Sequence, residues 1–224
     1  MKTKAVFFDF DGTITHKASI NIWKALYQNL GLDTSKNSSY YQSYVDYINK
    51  KYDYQEWCNV AANDYKTSGL TEKLFYNIAK DVRLYDDAIS VFEELAHSDI
   101  KLFVVSGNFV QLIKFSLGEN LKYFEDISGN EIIFDKSGKI EKIVGTNYDF
   151  EGKANYIKVK MKEFDLKPSE VVFVGNGDND LWAYQSGVKT ICINPDNASE
   201  ENREIWHCLI SNTESLSSIL KYID

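Results

Sequence analysis

The sequence predicts an α/β fold in which a mainly parallel sheet is joined by crossover helices, and three observations lead there. Short runs rich in Val, Ile and Phe recur along the 224-residue chain, and helix-like or mixed segments separate them. Residues 17–82 contain no such run and show polar-aromatic helical patterning instead, which reads as an inserted helical module, here called the cap. Two short β runs around a glycine-containing turn, Glu131 to Val144, read as a small β-hairpin. The expected division is therefore a core of residues 1–16 and 83–224 with a cap of residues 17–82.

The first run, Ala5-Val6-Phe7-Phe8, is too apolar for a solvated edge and reads as a buried strand; it ends in two carboxylates one residue apart, Asp9 and Asp11, followed by Gly12 and Thr13. Within the cap, turn signals at Gly31 to Ser39 and Thr67 to Thr71 separate helices. Its Tyr-dense stretch "YYQSYVDYINKKYDYQEW" reads first as helix packing with a compositional bias toward Tyr; an aromatic wall facing a substrate is the alternative. The next strand, Ile100 to Val105, runs into Ser106, Gly107 and Asn108. "EIIF", "DKSGK" and "IEKIV" form the hairpin, and "DFEGKANYIKVK" places Lys153 at the start of a helix. Val171 to Val174 leads into "GNGDND", Gly175 to Asp180, and a further strand follows at Thr190 to Ile193 with a weaker one at Cys208 to Ile210.

Composition excludes several classes. There are 33 acidic and 25 basic residues, a formal charge of −8 with no block of like sign, so steering toward nucleic acid or an anionic membrane is not expected. Cys58, Cys192 and Cys208 are odd in number and lack a CxxC pair, which argues against a disulfide framework or a zinc site and for a reducing, cytoplasmic setting. No apolar stretch reaches the length of a membrane span. His16, His97 and His207 lack metal-ligand spacing; only His16 lies near the first acidic pair.

The carbonyl ends of parallel strands are where open α/β sheets bind ligands, and the polar clusters fall there. Their chemistry suits phosphoryl transfer. Asp9 can attack phosphorus, Asp11 can protonate the leaving oxygen and then deprotonate water, and Lys153 with the Ser106 hydroxyl can grip the remaining phosphate oxygens. Acids and amides of the first and last clusters could hold Mg²⁺, a hard ion that prefers oxygen.

"DFDGT", "VVSGN", the Lys of "EGKANY" and "GNGDND" resemble, in order, the four motifs of the haloacid dehalogenase superfamily. The helical insertion, the hairpin and the C-terminal "SLSSILKYID" are similar to its phosphoserine phosphatase-like branch, with the likeness spanning the core and the cap matching in position only. The resemblance implies a Rossmann-like core and a Mg²⁺-dependent phosphatase acting on a small phosphorylated metabolite through an aspartyl-phosphate. It implies Asp9 as nucleophile and Asp11 as acid/base, with phosphate held by Ser106, Gly107, Lys153 and Thr13, and metal held by Asp9, Asp11 through its backbone carbonyl, Asn176 and Asp180. A phosphotransferase using the same intermediate and a non-catalytic phospholigand-binding protein are the alternatives, and no oligomeric state is implied. Two positions depart from the pattern. The superfamily reads Gly-Asp-Gly-x-Asn-Asp where Asn176 stands here, which predicts a weaker metal site. Phosphoserine phosphatases generally carry Glu nine residues after the nucleophile and Arg in the cap, whereas Ala18 occupies that position and the arginines are Arg83 and Arg203, which argues against phosphoserine as the preferred substrate.

Overall fold

The computed structural model describes residues 2–223. Its strands are β1 (Ala5–Phe8), β2 (Lys101–Phe109), β3 (Phe124–Phe134), β4 (Ile140–Val144), β5 (Val171–Gly177), β6 (Lys189–Asn197) and β7 (Cys208–Ile210). They form one sheet in the order β4-β3-β2-β1-β5-β6-β7, parallel at every pairing except β3 with β4. β1 is central and buried on both faces, which is why it is continuously apolar rather than alternating. Val6 and Phe8 face the side covered by α5 (Ala88–His97), where Phe8 meets Phe92 edge-on at 5.9 Å between ring centroids. Ala5 and Phe7 face α7 (Gly152–Glu163); Phe7 stacks on Phe103 at 4.5 Å and meets Tyr156 edge-on. Helices on both faces of a parallel sheet make a doubly wound, Rossmann-like α/β architecture.

Four helices lie between β1 and α5 in the chain: α1 (Ile22–Asn29), α2 (Ser39–Ile48), α3 (Tyr54–Thr67) and α4 (Glu72–Ala79). Each begins at a side-chain cap, Asn21, Ser38, Asp53 and Thr71 in turn, and Asp53 forms a reciprocal capping box with Glu56. The chain leaves the sheet and returns through a narrow ribbon. Thr15 and Leu84 form an antiparallel bridge, the His16 amide donates to the Arg83 carbonyl at 2.8 Å and the Tyr85 amide to the Ile14 carbonyl at 3.1 Å. Leu26, Tyr27, Tyr65 and Phe75 belong to the same apolar cluster as Val6 and Phe8, and Trp23 and Phe75 both contact Phe109 at the end of β2. The inserted helices are thus packed onto the sheet by a shared core.

The hairpin expected over Glu131–Val144 is part of a longer element. β3 starts at Phe124, and its first half pairs parallel with β2 while its second half pairs antiparallel with β4. Residues 125–130 are largely polar and carry no apolar strand signature. Side-chain bonding holds them instead: Asn130, fully buried, donates to the Gly107 carbonyl at 2.6 Å and accepts from the Thr146 amide at 2.9 Å. After β7 a 3-10 helix, Leu216–Tyr222, buries Leu216 and Ile219 beside α5. Among the described residues, no helix is long and apolar enough to cross a membrane.

Candidate active site

Three neighbouring strands, β2, β1 and β5, deliver their carbonyl ends to one place, and the polar clusters after them meet there. Asp9 follows β1 directly; its amide donates to the Val174 carbonyl of β5 at 2.9 Å, which fixes the backbone as it leaves the sheet. The turn beyond it requires glycine. Gly12 has φ +67°, and a Cβ there would lie 2.3 Å from Asn176 Nδ2. The amides of Thr13, Ile14 and Thr15 then converge on the Phe10 carbonyl, at 3.3, 3.0 and 3.0 Å.

Lys153, second residue of α7, is fully buried and bonds two carboxylates. Its Nζ lies 3.0 Å from Asp9 Oδ1 and donates also to Asp180 Oδ1. The other Asp180 oxygen accepts the amides of Asn176 at 2.8 Å and Gly177 at 3.2 Å, so this side chain ties the "GNGDND" loop to the lysine. Asp11 Oδ2 accepts from Asn108 Nδ2 at 2.7 Å, and Ser106 Oγ accepts from the Asn108 amide at 3.2 Å. Asn108 therefore orients both the second acid and the β2 end.

These groups surround a pocket of about 380 Å³ whose wall includes Asp9, Asp11, Ser106, Gly107, Asn176 and Asn179. Three expected site residues are not on that wall. Thr13 is fully buried, and its hydroxyl has no hydrogen-bond partner among the described residues. Lys153 lies beneath the pocket and reaches it through Asp9. Asp180 is equally buried, and both its oxygens are bonded, one to Lys153 and the other to loop amides. His16 is on the rim, 2.7 Å from Glu214, which also pairs with Lys17.

Asp149 is the residue that sequence reasoning missed. It sits in the loop between β4 and α7, and its carboxyl packs so closely on Gly107 that a Cβ there would fall 1.9 Å from Asp149 Cγ. No apolar run precedes it; the one signal was an acid four residues before Lys153 in a segment leading to the strand-end cluster.

Burial pushes Asp9 upward, opposed by Lys153 and reinforced by Asp180 and Asp11. Burial likewise pushes Asp11 up to about 6, against the Asn108 hydrogen bond and with help from the Asp149 charge. Burial raises Asp149 too, although Lys153 acts in the other direction. Lys153 is held above the ordinary lysine range because Asp180, Asp9 and Asp149 outweigh its own desolvation. Asp9, Asp11 and Asp180 thus stand together against one buried ammonium, an excess that a cation would relieve. Asp9, Asp11 and Asn176 line this pocket and carry, in carboxylate, main-chain carbonyl and amide, the hard oxygens Mg²⁺ takes. Among the described residues no three His, Cys, Asp or Glu side chains are grouped for a metal, so such an ion would rely on the amide, main-chain oxygen and water for its remaining ligands.

A curated phosphoserine phosphatase of Lactococcus lactis is 29% identical over 114 residues, covering 51% of this chain and 52% of the relative, so the match spans about half of each. Two solved structures share the fold over 100% of both chains: "Phospho-Aspartyl Intermediate Analogue of Phosphoserine phosphatase", TM-score 0.76 at 21% identity, and a substrate-bound phosphoserine phosphatase complex, TM-score 0.77 at 18% identity. The family model described as haloacid dehalogenase-like hydrolase matches residues 3–186, through the four helices between β1 and α5 and all four strand-end clusters, and on that match the chain belongs to the haloacid dehalogenase-like hydrolase family.

Proposed function

We propose that the chain is a Mg²⁺-dependent phosphatase that hydrolyses a small phosphomonoester through a phosphoryl group carried on Asp9. The observation that carries this reading is the pairing at the end of β1: Asp9 faces the pocket with Lys153 Nζ 3.0 Å from one oxygen, and Asp11, two residues on, lines the same pocket. Asp9 attacks phosphorus and the bond from phosphorus to the ester oxygen breaks; the leaving oxygen takes a proton from Asp11. Water then gives a proton back to Asp11 as it attacks, the phosphorus bond to Asp9 breaks, and phosphate leaves. A carboxyl held at about 6 suits both transfers, because near neutrality it is neither a weak donor nor a poor acceptor. Lys153 offsets the charge of Asp9 as the dianion approaches, and Ser106 with the Gly107 main chain holds non-bridging oxygens. Mg²⁺, held by the Asp9 carboxylate, the Asp11 main-chain carbonyl and the Asn176 amide, would supply charge neutralisation for the phosphoryl group and leave the Asp11 carboxyl free for proton transfer.

Residues 17–82 act in this proposal as a cap over the core of residues 1–16 and 83–224, excluding water and selecting the leaving group. The relatives' names point to phosphoserine, but the pocket wall carries no arginine for its carboxylate, and the lysine on it, Lys17, pairs with Glu214. Arg83 is exposed and absent from the wall, and the Arg203 guanidinium donates to the Pro195 and Ala198 carbonyls. A screen of phosphorylated metabolites with Mg²⁺ tests the reading: turnover that Asp9→Asn abolishes supports it, while turnover that survives this substitution refutes it. Phosphoserine emerging as the best substrate would overturn the specificity argument alone.

A further inference from the structure

Beside the pocket lies a second cavity of about 310 Å³ beneath α1, α2 and α3, and seven of its twelve lining residues are Tyr or Trp. The two cavities share Asn21, Trp23 and Asp149, so they meet where the alcohol part of an ester bound at Asp9 would extend. The aromatic hydroxyls and indole nitrogen are partly committed elsewhere. Tyr27 Oη donates to Asp64 at 2.8 Å, Tyr54 Oη accepts from Asn130 at 3.0 Å, and Trp57 Nε1 donates to Ser43 at 3.2 Å. What remains for an occupant is largely ring surface.

The one charged residue on this wall is Asp149. Among the described residues it has no ion-pair partner; Tyr54 Oη donates to it at 3.4 Å, while Lys153, whose charge acts on it, bonds Asp9 and Asp180. An apolar leaving group would suit the rings but leave this carboxylate uncompensated, which is costly in a closed site. A carboxylate-bearing group would meet no Lys or Arg and would be repelled by Asp149. A positive charge satisfies both surfaces at once, because aromatic faces and a carboxylate attract the same cation.

From this juxtaposition we infer that the cavity receives an ammonium group, so that the substrates are phosphomonoesters of compact amino alcohols, with Asp149 and the Trp23, Tyr54 and Trp57 rings determining specificity. The inference deepens the phosphatase reading and rests on it for the position of the phosphate; the recognition of the cation stands on the second cavity alone.

Two matched pairs test it: phosphocholine against neohexyl phosphate, its uncharged carbon isostere, and phosphoethanolamine against propyl phosphate. In at least one pair the cationic member should be favoured by roughly tenfold or more in kcat/KM. Asp149→Asn should reduce that ratio several-fold, a readout independent of absolute activity. A neutral member equal or superior in both pairs overturns the inference, as does a ratio that Asp149→Asn leaves unchanged. If none of these esters, nor p-nitrophenyl phosphate, is turned over, the phosphatase reading fails and binding decides the present one. Choline should then change the protein's Trp fluorescence at lower concentration than neohexyl alcohol, and the reverse order, or no difference, rejects it.

Discussion

Lys153 carries two buried carboxylates at once, and that sharing sets what substitutions around it should do. Removing one partner of a buried ion pair leaves the others charged and unsolvated, so Lys153→Met should destabilise the fold by about 3–5 kcal/mol, read from urea denaturation. Asp180→Asn acts through the same lysine: turnover should drop while the Mg²⁺ concentration for half-maximal activity stays put, because Asp180 bonds Lys153 and loop amides rather than facing the pocket. Asn176→Asp should do the opposite. It adds a charge to an open donor, so half-saturation should occur at lower Mg²⁺, checked by metal titration of the steady-state rate. If Asp180→Asn shifts the metal requirement and Asn176→Asp does not, the ligand assignment is reversed.

At the level of elements, the structure ties its helices and its C-terminus down with side-chain oxygens. α3 carries much of the aromatic cavity and starts at the Asp53 capping box, so Asp53→Ala should cost about 1 kcal/mol and loosen the cavity wall, seen as faster amide exchange in the first turn of α3. Asp87 plays the corresponding part for the final 3-10 helix, accepting the Leu216 and Ser217 amides, each at 2.9 Å, and the Ser215 hydroxyl. Burial pushes its carboxyl up, but those hydrogen bonds outweigh burial and hold it below the usual carboxylate range. A depressed folded-state value means the contribution is complete above the ordinary carboxylate range and is lost as pH falls through the folded value. Asp87→Ala should therefore lower stability at neutral pH by about 1–3 kcal/mol and flatten the acid side of the stability profile below about pH 4. An unchanged acid limb would show that the docking of this segment does not depend on the charge.

Across the whole molecule, legibility followed the strength of the physical signal. The central strands β1, β2, β5 and β6 were readable because burial on both faces forces continuous apolar runs, and the polar clusters were readable because they interrupt those runs at one end. The first half of β3 was not, since Asp126, Ser128 and Asn130 hold their places by hydrogen bonds formed across the fold: Tyr156 Oη donates to Asp126 at 2.8 Å, and Asn130 reaches Gly107. Asp149 was hidden for the same reason, its place being defined by Gly107, more than forty residues earlier in the chain. The Tyr-rich segment is divided between two surroundings. Tyr65 fills the shared core, Tyr41 and Tyr44 line the second cavity, and Tyr27, Tyr40 and Tyr54 do both, a distribution that a local run of tyrosines could not reveal. What joins the sheet, the buried lysine and the inserted helices into one device is the claim that Asp9 carries the phosphoryl group. Mixing the protein with a radiolabelled phosphomonoester that it turns over, quenching in acid within one turnover and mapping the labelled peptide addresses this directly. The account predicts label on Asp9, none in Asp9→Asn, and release by hydroxylamine as expected of an acyl phosphate; label on Asp11 or on a hydroxyl residue, or turnover with no labelled protein at any time, would contradict it.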